Sequence, residues 1–162
     1  MDDISLIIKA RDMLKDITPL KTNCGLTCSA ACCESPDDDE ETLGMSLFPG
    51  EETLYRKKFS WYQVHKGPSE NILTCEGRCP RDDRPLACRI FPLTPYEKNG
   101  KLYIKMDKRA STMCPLYTSG KRGLQPIFVD TVKEAMELLW QSEKMREHIY
   151  MISRQIDEFD IL

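Results

Sequence analysis

The 162-residue sequence contains no long hydrophobic run. Its apolar segments, such as Leu6 to Ile8, fall far short of the roughly 20 residues that a membrane-spanning helix requires. The N-terminus carries Asp2 and Asp3 where a secretory signal peptide has basic residues, and no small-residue cleavage site follows. We therefore expect a soluble, cytoplasmic protein with no membrane partner.

Familiar catalytic motifs are missing as well. The sequence has no Gly-rich phosphate loop, no Gly-x-Ser-x-Gly elbow and no His-Glu-x-x-His pair. Its two histidines, His65 and His148, do not lie at ligand spacing from a cysteine, and His148 is predicted to lie on the polar surface of a C-terminal helix. Without a separate catalytic set, whether the protein is an enzyme stays open.

The chain as a whole lacks a strong excess of either charge, whereas one part of it is clearly basic. The net charge is −3, yet the span from Arg78 to Arg122 holds 11 lysines and arginines against 4 acidic residues. We interpret this span as a solvated basic face. Nucleic acid or another anionic partner is the less favoured alternative, because clustered basic residues are also typical of nucleic-acid binding.

The composition is that of a folded domain. Hydrophobic residues make up 41% and charged residues 30% of the chain, with 8 Met and 5 Phe available for a core. A chain of this length buries enough surface to fold without crosslinks. We therefore expect a single metal-binding domain over residues 1–162, with a cysteine-cluster region at about 24–115 and a helical tail at 126–160.

Hydrophobic spacing predicts helices at both ends of the chain. Asp2 or Asp3 can cap a first helix that ends at Pro19 and whose apolar stripe is Ile7, Ala10, Leu14 and Ile17. The tail has two stripes with a break near Gln141-Ser142: first Phe128, Val132, Ala135 and Leu139, then Met145, Ile149, Ile152, Ile156 and Phe159.

The middle of the chain predicts short strands rather than long elements. Phe59 to Val64 and Asn71 to Thr74 have strand character, and Asn99-Gly100 is a strong hairpin signal within Tyr96 to Met106. The expected fold class is α+β and mainly helical. In it, N- and C-terminal helices pack on a loop-rich, cysteine-cluster middle with short strands or a hairpin.

The eight cysteines are the most unusual feature of the sequence. Cytosolic thiols are kept reduced, so this number indicates metal binding rather than disulfides. On a helix, the four-residue spacing of Cys24, Cys28 and Cys32 would align three sulfurs, whereas Cys33 would face elsewhere. The remaining candidates are Cys75, Cys79, Cys88 and Cys114.

Eight thiols can supply two metal sites or one site with bystanders. A structural zinc site takes four tetrahedral ligands, and an iron–sulfur cluster also takes four thiolates. We expect zinc, with an iron–sulfur cluster as the alternative cofactor. The first-choice ligands are Cys24, Cys28, Cys79 and Cys88, followed by Cys33 and Cys75, whereas Cys32 and Cys114 are the candidates for bystanders.

Together these residues resemble the YkgJ-type family of zinc- or iron-chelating cysteine-cluster proteins. The family pattern has an N-terminal cluster ending in Cys-Cys, then Gly-x-Cys, then Arg-Pro-x-x-Cys-Arg-x-Phe-Pro. The corresponding segments here are Cys24 through Cys33, Gly77-Arg78-Cys79, and the block from Arg84 to Pro92. The resemblance covers roughly residues 24 to 92 and implies metal chelation by these cysteines.

Two features qualify what the resemblance implies. The first cluster here has three-residue gaps where the family usually has two-residue gaps, so which cysteines share a metal stays open. A related cysteine-cluster domain occurs in flagellin lysine methylases, which implies an enzymatic role by analogy. A metal-cluster-dependent enzyme or redox protein is therefore one alternative function, and a nucleic-acid-binding zinc module, with Tyr96 and Tyr103 stacking on bases, is another.

Arg84 and Arg89 flank Cys88 within the same block. A zinc ion with four thiolates carries a net charge of −2, so guanidinium groups beside it would offset that charge and lower the thiol pKa values. We therefore predict a supporting role next to the metal for both arginines. The alternative is that they pair with Asp82 or Asp83 at the surface.

Overall fold

The first helix, α1, spans Asp3–Met13 in the computed structural model, which describes residues 1–25, 32, 44–56, 62–75 and 79–159. The Asp2 side chain caps it by accepting a hydrogen bond from the Ser5 N–H at 2.9 Å, as the sequence predicts. The predicted end at Pro19 is wrong. The Leu14 and Lys15 N–H groups donate to the carbonyls of Arg11 and Asp12, three residues back, so the helix closes in a tight turn just after Met13.

The described middle of the chain forms two small antiparallel sheets. Strands β1 (Met45–Ser46), β2 (Tyr62–Lys66) and β3 (Asn71–Cys75) make the first, in the order β1-β3-β2. The predicted strand at Phe59 to Val64 is therefore observed in part and extends further, whereas residues 57–61 lie outside the described residues. Buried Leu47, Tyr55, Tyr62 and Leu73 form a small apolar cluster with this sheet.

The second sheet is the predicted hairpin. Strands β4 (Leu93–Lys98) and β5 (Lys101–Met106) pair through the Asn99-Gly100 turn, with Lys98 opposite Lys101 and Tyr96 opposite Tyr103. Both turn residues have positive φ, 53° and 74°, which is the backbone that a two-residue turn of this type needs. The hairpin prediction is confirmed.

Short helices connect these strands to the C-terminal part. Helix α2 spans Leu86–Ile90, and α3 spans Leu116–Ser119. Single turns of 3₁₀ helix occur nearby, at Glu51–Tyr55, Arg81–Asp83, Lys108–Thr112 and Lys121–Gly123. The middle is thus built from short elements, in agreement with its loop-rich composition.

Two long helices complete the fold. Helix α4 spans Pro126–Leu139 and α5 spans Glu143–Phe159, so the predicted break near Gln141-Ser142 is confirmed. The main core joins α1, α4, the hairpin and the start of α5. Its fully buried side chains include the whole predicted stripe of α4: Phe128, Val132, Ala135 and Leu139.

The stripe of α5 differs from the prediction at two positions. Phe159 is 41% exposed, because it is the last residue of the helix and follows Ile156, the last buried residue. His148 was predicted at the surface but is 6% exposed and packs against Phe48, with ring centroids 5.1 Å apart. Its position, three residues after Met145 and four before Ile152, places it on the apolar face.

The fold class is the predicted one: α+β, mainly helical, with terminal helices packed around small sheets. Within the described ranges, no helix combines the length and the apolar composition that crossing a bilayer requires.

Candidate metal centre

Most of the described cysteines surround one cavity. The cavity has a volume of about 750 Å³ and lies between the loop that follows α1, helix α2 and the segment before α3. Its walls contain the thiols of Cys24, Cys32, Cys79, Cys88 and Cys114. Residues that are up to 90 positions apart in sequence thus converge there, including Cys32 and Cys114, which the sequence had suggested as bystanders.

Cys88 reaches the cavity from α2, and a buried carboxylate fixes the start of that helix. Glu51 accepts a hydrogen bond from the Leu86 N–H at 2.7 Å and another from the Phe48 N–H at 3.2 Å. Leu86 is the first residue of α2, so this carboxylate satisfies one of the N–H groups that a helix start leaves without a partner. Glu51 thereby holds the helix that carries Cys88.

Glu51 is completely buried, which has an electrostatic cost. Burial raises the pKa of this carboxyl, whereas the Leu86 N–H and the charge of Arg11 lower it. The Arg11 guanidinium lies 3.7 Å from the carboxylate and provides the compensating charge. Sequence reasoning missed Glu51, because Phe48-Pro49-Gly50-Glu51 contains no motif that distinguishes a buried glutamate from a surface one.

Arg89 is buried in the same region and acts as a brace between backbone segments. Its guanidinium donates to the carbonyls of Arg84 at 2.8 Å and Arg11 at 3.3 Å, and also to those of Arg81 and Asp82 at 3.1 and 2.8 Å. The surface pairing considered as the alternative is wrong for Arg89, since its partner at Asp82 is the backbone carbonyl. Burial lowers the pKa of Arg89, and the nearby charge of Arg11 lowers it further.

Arg84 and Arg89 both line the cavity, as does Arg81. Arginines and cysteines are therefore neighbours at this cavity, and the supporting role of Arg84 and Arg89 beside a metal stays a prediction. For Arg89, however, most of the guanidinium donors are directed at carbonyl groups rather than at sulfur. Its charge can still offset that of thiolates in the cavity, because charge acts over a longer range than a hydrogen bond.

The loop that carries Cys24 is anchored from two sides. Arg81 Nε donates to the Lys15 carbonyl at 2.8 Å. On the other side, the Gln125 side chain donates to the Thr18 carbonyl at 2.9 Å, and the Gln125 backbone N–H donates to the Pro19 carbonyl at 2.8 Å. These bonds fix the path of the chain toward the first cysteine cluster.

Cys114 is positioned by the turn before α3. Its N–H donates to the Ala110 carbonyl at 2.8 Å, and its own carbonyl accepts from the Tyr117 N–H at 3.0 Å. Asp107 caps the preceding 3₁₀ helix, Lys108–Thr112, because its side chain accepts from the Arg109 N–H at 2.9 Å. Local backbone bonds therefore hold this cysteine at the wall of the cavity.

Cys75 is the one described cysteine that does not line the cavity. Cys75 ends β3 and packs, half-buried, against the small apolar cluster of the first sheet. Cys28 and Cys33 lie outside the described residues, and so does the predicted helical alignment of Cys24, Cys28 and Cys32. The structure thus separates Cys75 from the five cavity cysteines.

The donor chemistry of the cavity fits a thiophilic metal. Five thiols exceed the four that zinc or an iron–sulfur cluster takes. Among the residues that the structure describes, however, no three His, Cys, Asp or Glu side chains lie close enough together to hold one ion. The five cavity thiols therefore line one cavity, but no three of them are close enough to coordinate the same ion.

No protein-family model, curated protein or solved structure matches this chain.

Proposed function

We propose that this chain is a cytoplasmic metal-binding protein whose cysteine thiolates hold zinc, or alternatively an iron–sulfur cluster, at the cavity around Cys88. The observation that carries this proposal is the convergence of Cys24, Cys32, Cys79, Cys88 and Cys114 on that single cavity. Such clustering is typical of thiolate metal sites that join separate loops. The Arg84 to Pro92 block, with its resemblance to the YkgJ-type family, supports the same function.

Cys88, Cys79 and Cys24 are the ligands that we propose first, with Cys114 or Cys32 completing a set of four. Helix α2 and the loop after α1 are held by buried or multiply bonded groups, and they supply two of these ligands. Cys28, which lies midway between Cys24 and Cys32 in sequence, is a further candidate. A metal bound at this cavity would crosslink the cysteine-bearing loops to the helical base, which is formed by α1, α4 and α5.

Metal binding in this proposal is coupled to the final arrangement of the loops. The described thiols line a common cavity, but they do not stand within ligating distance in threes. Binding would draw the segments together and supply free energy to their ordering, as in other small structural metal sites. The role of the metal is therefore structural, and no step of an enzymatic reaction is assigned to it.

Titration with cobalt(II) tests the proposal and its ligand assignment. Cobalt bound by thiolates absorbs in the visible and gives a sulfur-to-metal charge-transfer band. We expect these bands in the native chain and a marked loss in Cys88→Ser. The control is Cys75→Ser, because Cys75 packs on the first sheet and does not line the cavity.

An equal loss of the cobalt–thiolate absorption in Cys88→Ser and Cys75→Ser would contradict the assignment of the cavity cysteines as ligands. Absence of thiolate bands in the native chain would contradict metal binding altogether. Reconstitution with iron and sulfide under anaerobic conditions separates the two cofactors: a brown protein with a visible absorption band indicates a cluster, whereas a protein that stays colourless but gives the cobalt–thiolate bands indicates zinc.

A further inference from the structure

The exposed side of the hairpin carries a row of basic and aromatic side chains that do not line the cysteine cavity. On β5, Lys101, Tyr103 and Lys105 alternate with inward residues and therefore point to the same side. Tyr103 is 45% exposed, and both lysines are exposed. Spaced at about 7 Å from one side chain to the next, the row places an aromatic ring between two positive charges.

Helix α5 extends this row with a further cation. Arg154 pairs at 3.3 Å with Asp157, whose carboxylate also accepts from the Tyr96 hydroxyl at 2.7 Å, and Lys105 Nζ lies 3.7 Å from the centroid of the Tyr96 ring. Tyr96 itself is only 8% exposed, so the prediction that it stacks on bases is wrong. Its ring instead supports the Lys105 ammonium, and its hydroxyl bonds to the carboxylate that pairs with Arg154. We name Lys101, Tyr103, Lys105 and Arg154 the hairpin surface.

The carboxylates nearest to this surface are already engaged within the protein. Glu97 accepts from the Gly100 N–H at 2.6 Å, and Asp157 accepts from the Tyr96 hydroxyl at 2.7 Å while pairing with Arg154 at 3.3 Å. Within the described part of the chain, Lys101 and Lys105 have no carboxylate within ion-pair distance. Three cations, Lys101, Lys105 and Arg154, thus stand beside two carboxylates, Glu97 and Asp157, so positive charge is in excess.

We propose that the hairpin surface binds single-stranded nucleic acid, with a base stacked on Tyr103 and flanking phosphates on Lys101 and Lys105. A stacking ring between cations is the arrangement by which proteins hold single strands without reading their sequence. An acidic polypeptide would use the lysines but would gain little from the exposed ring. The proposal does not depend on the metal, because none of its residues lines the cysteine cavity.

Fluorescence anisotropy with a labelled oligothymidylate of about 12 nucleotides, at low and moderate salt, tests the proposal with the whole purified chain. We expect Tyr103→Ala to weaken binding on the order of tenfold and Tyr103→Phe to retain it. Charge reversal of Lys101 and Lys105 together should abolish most binding. Neutralising both lysines should reduce the slope of log affinity against log salt concentration by about 1.4.

The matched control reverses Lys9 and Lys133, exposed lysines on α1 and α4, and should leave binding nearly unchanged. Circular dichroism of each variant establishes that it is folded. Absence of binding at low salt would overturn the proposal. So would equal affinity of Tyr103→Ala and the native chain, or equal competition by polyglutamate, since either outcome would mean that charge alone is recognised.

Discussion

At the scale of single residues, the structure depends on a few buried polar groups that link distant segments. Glu51 joins the start of α2 to α1 through Leu86 and Arg11. Arg89 joins α2 to the end of α1 and to the turn that precedes α2. Hydrogen bonds of this kind, in which one partner is charged and buried, contribute more than those of neutral surface groups.

The substitution Arg89→Lys measures how much the hydrogen bonds of Arg89 contribute to the free energy of unfolding. A lysine ammonium cannot reach the four carbonyls that the planar guanidinium bridges, so at least some of them lose their donor. We expect a loss of about 2 to 4 kcal/mol in the free energy of unfolding, measured by urea denaturation. Arg122→Lys, at an exposed position, is the control and should change it by less than about 0.5 kcal/mol. Similar changes in the free energy of unfolding for Arg89→Lys and Arg122→Lys would contradict a stabilising role of the Arg89 hydrogen bonds.

His148 gives the fold a dependence on pH. Burial lowers its pKa to about 4, against a weak opposing effect of Glu70, and its Nε2 has no hydrogen-bond partner among the described residues. The unfolded chain takes up the proton near pH 6.5, whereas the folded protein resists it until about pH 4. Its contribution to stability is thus present above pH 6.5 and is lost as the pH falls through this window.

The variant His148→Leu removes the titrating group but keeps an apolar side chain against Phe48. We expect the native chain to lose stability relative to this variant by on the order of 3 kcal/mol between pH 7 and pH 4. Urea denaturation of both proteins across this range is the measurement. A difference that stays constant with pH would show that His148 titrates normally in the folded state.

At the scale of elements, the sequence predicted those parts whose signal is local. Asn99-Gly100 predicted the hairpin, because a turn with two positive φ angles strongly restricts the residue types. The stripe of Phe128, Val132 and Ala135 predicted α4, because a helix repeats its buried face at a fixed interval. The end of α1 was missed, because the Leu14 and Lys15 N–H groups donate to carbonyls three residues back, a change of backbone bonding that no residue before Pro19 signals.

The hairpin turn offers a test of that local signal. Gly100 has φ of 74°, and a Cβ atom at this position would meet no heavy atom within 4 Å, so a side chain there costs backbone energy without a clash. We expect Gly100→Val to lower the free energy of unfolding by about 1 to 2 kcal/mol, because a branched residue avoids this conformation. Gly100→Asn should lose clearly less, since asparagine adopts positive φ more readily. An equal loss in both variants, measured by urea denaturation, would contradict the turn assignment.

At the scale of the whole molecule, the candidate site combines features that the sequence could and could not indicate. The number of cysteines and the Arg84 to Pro92 block predicted a thiol-rich centre. The ranking of the thiols was harder to predict, because Cys114 reaches the cavity through tertiary packing and Cys75 is directed into an apolar cluster by β3. Glu51 and His148 were not identified as buried, because their burial depends on which distant segments pack on them.

The architecture also explains why a metal would matter to this chain. The terminal helices and the hairpin bury a continuous apolar core, whereas the cysteine-bearing segments surround a cavity of about 750 Å³. A metal at that cavity would supply the crosslinks that the core does not provide to these segments. The helical base is thus stabilised by apolar burial, whereas the cysteine region would be stabilised by the metal.

The most direct test is the metal content of the protein, purified without added metal or chelator and measured by mass spectrometry with elemental detection. We expect about one equivalent of zinc per chain, or the iron and sulfide of one cluster, with a clear decrease in Cys88→Ser. Less than about half an equivalent of any transition metal per folded chain would contradict it.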